Sequence, residues 1–253
     1  MNINAGFTND GTIVLDNSYA SATRSQTLTV TGGPIVNDAT IMTVRTGAGG
    51  TQTINADITQ TAAGVINIDK DVTLNTLAFD ASLGTIHVDD GHTFTIDGQN
   101  SSAVTSFGGG TMLTGTGRIL FNGTQGLNFS SPATLPAAGA SIDLGGGSVT
   151  ITGSEFTIEP GASLAFTNET VNADVNNEGT LKVQNGTSTF NASSLMNTGT
   201  LALEGVAAGS ATFTVNASFT NGGLITFDNV YASATRSQTF NRNGTLTNNG
   251  TLQ

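Results

Sequence analysis

Cysteine and tryptophan are absent from this chain of 253 residues, and only four prolines, two histidines and seven basic residues occur in it. Without a thiol there is no disulfide, no cysteine nucleophile and no thiolate metal site. That absence does not fix a compartment, although a long secreted rod that crosses a membrane unfolded gains from it. Seven Lys and Arg stand against 18 Asp and Glu, a formal charge of −11. Such a chain has little with which to neutralise phosphates, so nucleic acid is not an expected partner, and anionic membrane surfaces are disfavoured for the same reason. No apolar run approaches the roughly 20 residues that span a bilayer, so no membrane insertion is expected. Met1-Asn2-Ile3-Asn4-Ala5-Gly6 has neither the basic start nor the apolar core of a signal peptide, and reads as the middle of a structural repeat.

What is abundant is glycine, at 33 residues, together with threonine, asparagine and serine, while charged residues make up only 10%. Scarce long helix formers and plentiful turn and β-compatible residues oppose helix and favour short strands. One pattern recurs. Asn177-Glu178-Gly179-Thr180-Leu181-Lys182-Val183 is followed by Asn197-Thr198-Gly199-Thr200-Leu201-Ala202-Leu203 and Asn221-Gly222-Gly223-Leu224-Ile225-Thr226-Phe227, then by Asn249-Gly250-Thr251-Leu252. An earlier copy is Asn9-Asp10-Gly11-Thr12-Ile13-Val14-Leu15. Asn and Gly tolerate positive φ, so N-x-G reads as a turn. The residues after it alternate, so Leu181 and Val183 share one side of a strand.

Starts at 177, 197 and 221 are 20 and 24 residues apart. A repeat this short cannot hold a strand–helix–strand unit, which needs roughly 30 residues. It fits two or three short strands joined by bends, and one such unit completes its core only by stacking on the next. The expectation is an all-β fold, a single-stranded parallel β-helix (β-solenoid) of about 20–24 residues per coil. The general rule for crossovers makes it right-handed. At about 21 residues per coil the chain would form about 12 coils, a rod of roughly 55 Å. An antiparallel sandwich is the alternative architecture, but it does not require a turn motif at fixed spacing.

A second repeat is longer. Asp16-Asn17-Ser18-Tyr19-Ala20-Ser21-Ala22-Thr23-Arg24-Ser25-Gln26-Thr27 returns, one residue changed, as Asp228-Asn229-Val230-Tyr231-Ala232-Ser233-Ala234-Thr235-Arg236-Ser237-Gln238-Thr239, an offset of 212 that also aligns Phe7-Thr8-Asn9 with Phe219-Thr220-Asn221. Residues 1–253 read as one continuous solenoid, with 7–218 as one long repeat unit and 219–253 as the start of the next copy. About ten coils of about 21 residues would keep both copies in phase. Tyr19, Arg24, Tyr231 and Arg236 are then candidates for a recurring lateral contact, about every 48 Å. A wide coil packed over the barrel is the structural alternative.

Between the copies, Gly64-Val65-Ile66-Asn67-Ile68-Asp69 aligns with Gly84-Thr85-Ile86-His87-Val88-Asp89. That register stacks Ile66 under Ile86, Ile68 under Val88 and Leu74 under Phe94. Gly108-Gly109-Gly110 and Gly145-Gly146-Gly147 read as corners or bends. The segment from Ser130-Ser131-Pro132 to Pro136-Ala137-Ala138-Gly139 reads as a loop leaving the rod.

Ile158-Glu159-Pro160-Gly161-Ala162-Ser163-Leu164 and the Asn177 and Asn197 runs resemble the repeats of bacterial β-helical exoproteins, the filamentous-haemagglutinin-like adhesins and autotransporter passenger regions. The resemblance implies a secreted rod displayed extracellularly or on a bacterial cell surface. It implies attachment to a host or partner cell surface or glycan, and an internal fragment of a longer chain. It names no catalytic residue. The function expected is a non-catalytic structural rod segment of a large repetitive adhesin, mediating cell–cell or surface attachment or forming fibres. Neighbouring repeats are the expected partners, with head-to-tail or lateral self-association, because cut ends near Ile3 and Leu252 would expose unpaired strand edges.

Chemistry-bearing side chains are few. His87, Asp89, Asp90 and His92 could bind a divalent ion, or form an Asp-Asp-Gly turn with two surface histidines. In the 20-residue register Asp69 lies below Asp89, about 4.8 Å away. The stack of Asp69, Asp71, Asp89 and Asp90 is therefore a candidate calcium site, against a plain solvated turn; no cofactor is otherwise expected. The first alternative function is a polysaccharide-degrading β-helix enzyme. It would need paired carboxylates or a basic proton acceptor drawn from Arg24, Arg45, Lys70, Arg118, Lys182, Arg236 and Arg242. The second is an ice-binding solenoid, suggested by Thr27-Leu28-Thr29 and Thr93-Phe94-Thr95. Their uneven spacing in sequence predicts no long regular array. Asn-x-Ser/Thr sites such as Asn122-Gly123-Thr124 and Asn185-Gly186-Thr187 arise wherever turn Asn meets strand Thr.

Overall fold

The computed structural model describes residues 1–16, 25–44, 50–205, 209–228 and 237–253. Among them there is no helix, so none long and apolar enough to cross a membrane. The strands pair in parallel throughout, in sheets of 19, six and five strands. The chain is a parallel β-solenoid, and the antiparallel sandwich is excluded. The first three coils contribute three short strands each, whereas farther along single strands of 11 to 13 residues run across two faces. The first coil holds Asn2–Ile3, Phe7–Asn9 and Thr12–Asp16; the second holds Gln26–Val30, Ile35–Asn37 and Thr40–Val44. The third holds Gln52–Asn55, Ile58–Gln60 and Val65–Ile68.

Alternation in the sequence becomes inside and outside. In Thr180–Gln184, Leu181 and Val183 are buried and their neighbours are half-buried. Leu181 pairs with Leu201, and Leu201 with Ile225, so one apolar column runs through three coils. Buried phenylalanines also meet inside the coil stack. Phe129 and Phe156 stack with ring centroids 4.6 Å apart, and Phe79 meets Phe94 edge-on at 6.0 Å.

Ten successive pairings lead from Phe7 in the first coil to Arg242 in the last, which holds Gln238–Arg242, Leu246–Asn248 and Thr251–Leu252, so eleven coils stack where about 12 are expected. Coil length varies more than 20–24. Registered residues stand 20 apart at Val65 and Thr85 and 24 apart at Thr200 and Leu224. They stand 28 apart at Phe7 and Ile35 and only 17 apart at Ser163 and Thr180. Ile66 stacks on Ile86 and Ile68 on Val88, as the Gly64/Gly84 register predicts. Leu74 does not stack on Phe94: it pairs with Ile96, and Phe94 pairs with Val72. The corner through Asp89, Asp90, Gly91 and His92 holds two more residues than its counterpart after Ile68, so the register moves from 20 to 22.

Two further expectations change. Residues 130–139 do not leave the rod. Ala133–Leu135 is a strand in register with Phe156–Ile158, and Ala133 and Leu135 are buried. The glycine triplets lie inside the long strands Val104–Gly115 and Ser141–Gly153, near register shifts between Ala81 and Leu83 and between Leu120 and Asn122. They let one strand bend from one face to the next.

The two copies at offset 212 do not keep phase. Successive pairings carry Phe7 through Ile35, Ile58, Phe79, Thr105, Leu127, Ile151, Val171 and Phe190 to Val215. Phe219 belongs to the next strand and to another sheet, in register with Leu195 and Leu246. Equivalent residues therefore fall one strand apart around the coil.

The N-x-G motif is not a left-handed turn. Among the described residues Asn185, with φ 42°, is the one non-glycine at positive φ, and neither the asparagines nor the glycines of the motif join it. The asparagines point inward and form a ladder. Asn177 Nδ2 donates to Asn197 Oδ1 at 2.6 Å, Asn197 Nδ2 to Asn221 Oδ1 at 2.6 Å, and Asn221 Nδ2 to Asn248 Oδ1 at 2.7 Å. Asn248, not Asn249, is the last rung. A second ladder runs from Asn9 to Asn37 at 2.8 Å and from Asn37 to Gln60 at 2.5 Å. Each amide also caps a corner carbonyl, as Asn177 does at Thr200 O and Asn37 at Val65 O. Most buried polar groups are thereby paired where the chain turns, Asn177 Oδ1 at the foot of the first ladder being an exception.

Candidate functional site

The predicted acidic stack sits at the corner after Val65–Ile68 and its partner above. Asn67 pairs with His87 and Ile68 with Val88, and Asp69 and Asp89 follow directly. The backbone N–H of Asp89 donates to Ile68 O at 3.0 Å. Beyond that point the side chains separate. Asp89 Oδ1 meets His87 Nε2 at 2.8 Å, and His87 Nδ1 meets Thr114 Oγ1 at 2.9 Å. Asp71 Oδ1 accepts from the Thr93 N–H at 2.9 Å and lies 3.3 Å from His92 Nδ1. Asp90 Oδ1 accepts from Thr116 Oγ1 at 3.3 Å. Among the described residues no three Asp, Glu, His or Cys side chains converge. Asp69, Asp71, Asp89 and Asp90 thus share a corner without sharing a centre, and calcium would need six to eight oxygens around one point.

The same corner borders an open groove of about 490 Å³. It runs over four successive coils, from Gly50 and Thr51 past Lys70 and Asp71, then His92 and Thr93, to Arg118 and Leu120. Lys70 is buried in its wall, and its backbone is fixed by Thr43, whose Oγ1 donates to Lys70 O at 2.9 Å. Arg118 is half exposed and donates through one guanidinium nitrogen to Asp143 Oδ2 at 3.0 Å. Thr27, Thr53, Thr73 and Thr95 form an unbroken column on this side, followed by Leu120. Beside them Thr29, Asn55 and Asn75 are linked amide to amide or hydroxyl at 3.2 and 2.7 Å. The sequence spacings of the threonines are 26, 20 and 22, yet corners of different length cancel the differences. The array spans four coils and is followed by Leu120, short of the long one that uneven spacing argues against.

Tyr19, Arg24, Tyr231 and Arg236, the candidate lateral contact, lie outside the described residues, as does Arg45. Two features escape the sequence altogether. One is an exposed amide ladder on which Asn216 donates to Asn191 at 2.6 Å and Asn243 to Asn216 at 2.7 Å. The other is Glu169, fully buried one residue before Thr170, which pairs with Thr150. Its Oε2 accepts from the Thr167 N–H and from Ser188 Oγ, the latter at 3.3 Å, while Oε1 is buried with no hydrogen-bond partner. Desolvation by burial pushes this carboxyl up to about 7, against the lowering effect of its hydrogen bonds. An acidic residue at an inward position is the only sequence signal that could have found it.

The chain matches no family model, no curated protein and no solved structure.

Proposed function

We propose that this chain is a non-catalytic rod segment of a larger repetitive surface or secreted adhesin, an attachment or fibre-forming element. The observation that carries the reading is the continuous coil-on-coil pairing, from Asn2 and Thr29 near one end to Ile225 and Leu252 near the other. A fold that grows by adding coils makes reach from sequence length, and its stability is local to each neighbouring pair. The separation of the two histidines, each held by its own aspartate, supports a structural task for them over a shared catalytic one. The likeness of the Asn177 and Asn197 runs to exoprotein repeats supports an extracellular or cell-surface place. The test is attachment: beads coated with the chain are scored for adherence to a panel of bacterial and host cells and to each other. Adherence above beads coated with a globular protein of equal charge is expected, and its absence on every surface overturns the reading.

Ice binding is the second reading, favoured by the threonine column. Thermal hysteresis and ice recrystallisation assays on the same chain decide it, and no activity in either removes it.

A further inference from the structure

We infer that the groove over Thr51, Asp71, His92 and Arg118 binds a linear polysaccharide carrying carboxylates, such as a polyuronate. The inference rests on the attachment reading and names the ligand class of one site in it. Charge placement is the first argument. The chain carries −11 overall, and four basic residues lie among those described: Lys70, Arg118, Lys182 and Arg242. Two of the four line this groove, with one of the chain's two histidines. Lys70 is buried and already engaged, so Arg118, half exposed at the groove's edge, is the cation that faces an incoming anion.

Geometry is the second argument. Asp143 engages one nitrogen of the Arg118 guanidinium, and the remaining donors of that planar fork suit a carboxylate. Asp71 holds His92 through Nδ1 and leaves Nε2 without a partner among the described residues. Asp71 is itself occupied by the Thr93 N–H, so its charge is partly spent inside the wall. The groove extends across four coils, about 14 Å at about 4.8 Å per coil, the length of a short oligosaccharide. Thr73 and Thr95 set hydroxyls along it at the coil repeat, as a chain of sugar hydroxyls requires. No Phe or Tyr is among its described lining residues, which disfavours a stacked base or a neutral glycan held on an aromatic face.

Oligogalacturonate of four to six units, its carboxyl-reduced neutral counterpart and a sulfated oligosaccharide of equal charge are titrated into the full chain by calorimetry at low and at physiological salt. Binding of the carboxylated oligomer, at least tenfold tighter than the neutral one and weakened by salt, is expected. Arg118→Gln should weaken it about tenfold, and Thr73→Val with Thr95→Val several-fold. Lys182→Gln, far along the rod, should leave it unchanged, and circular dichroism of every variant checks the fold. Equal affinity for charged and neutral oligomers, preference for the sulfated one, no binding at all, or a folded Arg118→Gln that binds normally each overturns the inference. Cell attachment with no oligomer binding sinks the groove and spares the adhesin reading. Oligomer binding without attachment to any surface does the reverse.

Discussion

Asn197 lies between two copies of itself: it accepts from Asn177 Nδ2 at 2.6 Å and donates to Asn221 Oδ1 at 2.6 Å, with a further bond to Leu224 O at 3.2 Å. All three side chains are buried. Removing the middle amide leaves Asn221 Oδ1 and Leu224 O short of donors inside the corner. Each buried group so orphaned costs about 1–3 kcal/mol. Asn197→Ala should therefore destabilise by about 2–4 kcal/mol. Asn172→Ala breaks a similar rung, the bond from Asn191 at 3.3 Å, but on the exposed face, where water replaces it. It should cost less than about 0.5 kcal/mol. Urea unfolding midpoints of the pair check this, and equal shifts would show that the ladders do not depend on burial.

The glycine two residues after each ladder asparagine answers a different need. A Cβ on Gly199 would come 2.1 Å from Gly179 O, and one on Gly223 would come 2.1 Å from Gly199 O. The corners are stacked too closely for any side chain there. Gly199→Ala must push coils apart and should cost about 3 kcal/mol or more. Gly11 opens the same motif near the other end, yet a Cβ there meets nothing within 4 Å. Gly11→Ala should be neutral or stabilise by about 0.5 kcal/mol through the unfolded chain. Thermal melting of the two variants separates them; a Gly199→Ala protein that melts with the parent would mean the coils yield easily.

These glycines and asparagines mark how far the sequence could be read. Alternation alone stacks Leu181 on Leu201 and Ile66 on Ile86, because a one-residue slip would turn every apolar side chain outward. Corner length is not written in the alternation, so Leu74 finds Ile96 instead of Phe94, and Thr53, Thr73 and Thr95 align despite unequal spacing. Asn177 and Gly179 look like turn residues because a buried amide rung and a flexible bend use the same residue types. Ala133 and Leu135 alternate correctly, but the prolines and glycine around them suggest a loop. The groove was least legible of all. Thr51, Asp71, His92 and Arg118 come from four coils, and their meeting depends on every corner between them.

Glu169 makes stability depend on pH. Its folded value is raised from 4.5 to about 7, mainly by desolvation. The folded state thus holds the proton more tightly than the unfolded chain. Its contribution to stability is complete below about pH 4.5 and is lost as pH rises through about 7. Above that, ionising the buried carboxyl costs roughly 3 kcal/mol, at about 1.4 kcal/mol per pH unit. Glu169→Gln carries no titrating proton and should flatten this dependence. The gap between variant and parent should widen in the variant's favour from pH 5 to pH 8. Parallel melting curves of both proteins across that interval test it, and a gap that does not change with pH would place the ionisation elsewhere.

Strand pairing at the last coil has a consequence for the 253-residue chain taken alone. Leu224–Asp228 pairs on one side with Thr200–Glu204 and on the other with Thr251–Leu252, but Thr251–Leu252 pairs only downward. Phe240 and Leu246 are only partly buried there, and Leu252 is 55% exposed. At the opposite end Phe7 and Ile13 are likewise partly covered. Both edges offer backbone donors and acceptors at the coil repeat beside apolar side chains, which is a template for another copy. Concentration-dependent growth along one axis is expected, seen as rising mass by light scattering and as rods of stepped length by electron microscopy. Leu252→Lys sets a charge at the open edge and should suppress it without altering the circular dichroism of the coils. A chain that stays monomeric at high concentration, or a Leu252→Lys variant that assembles as the parent does, would show that these edges do not drive assembly.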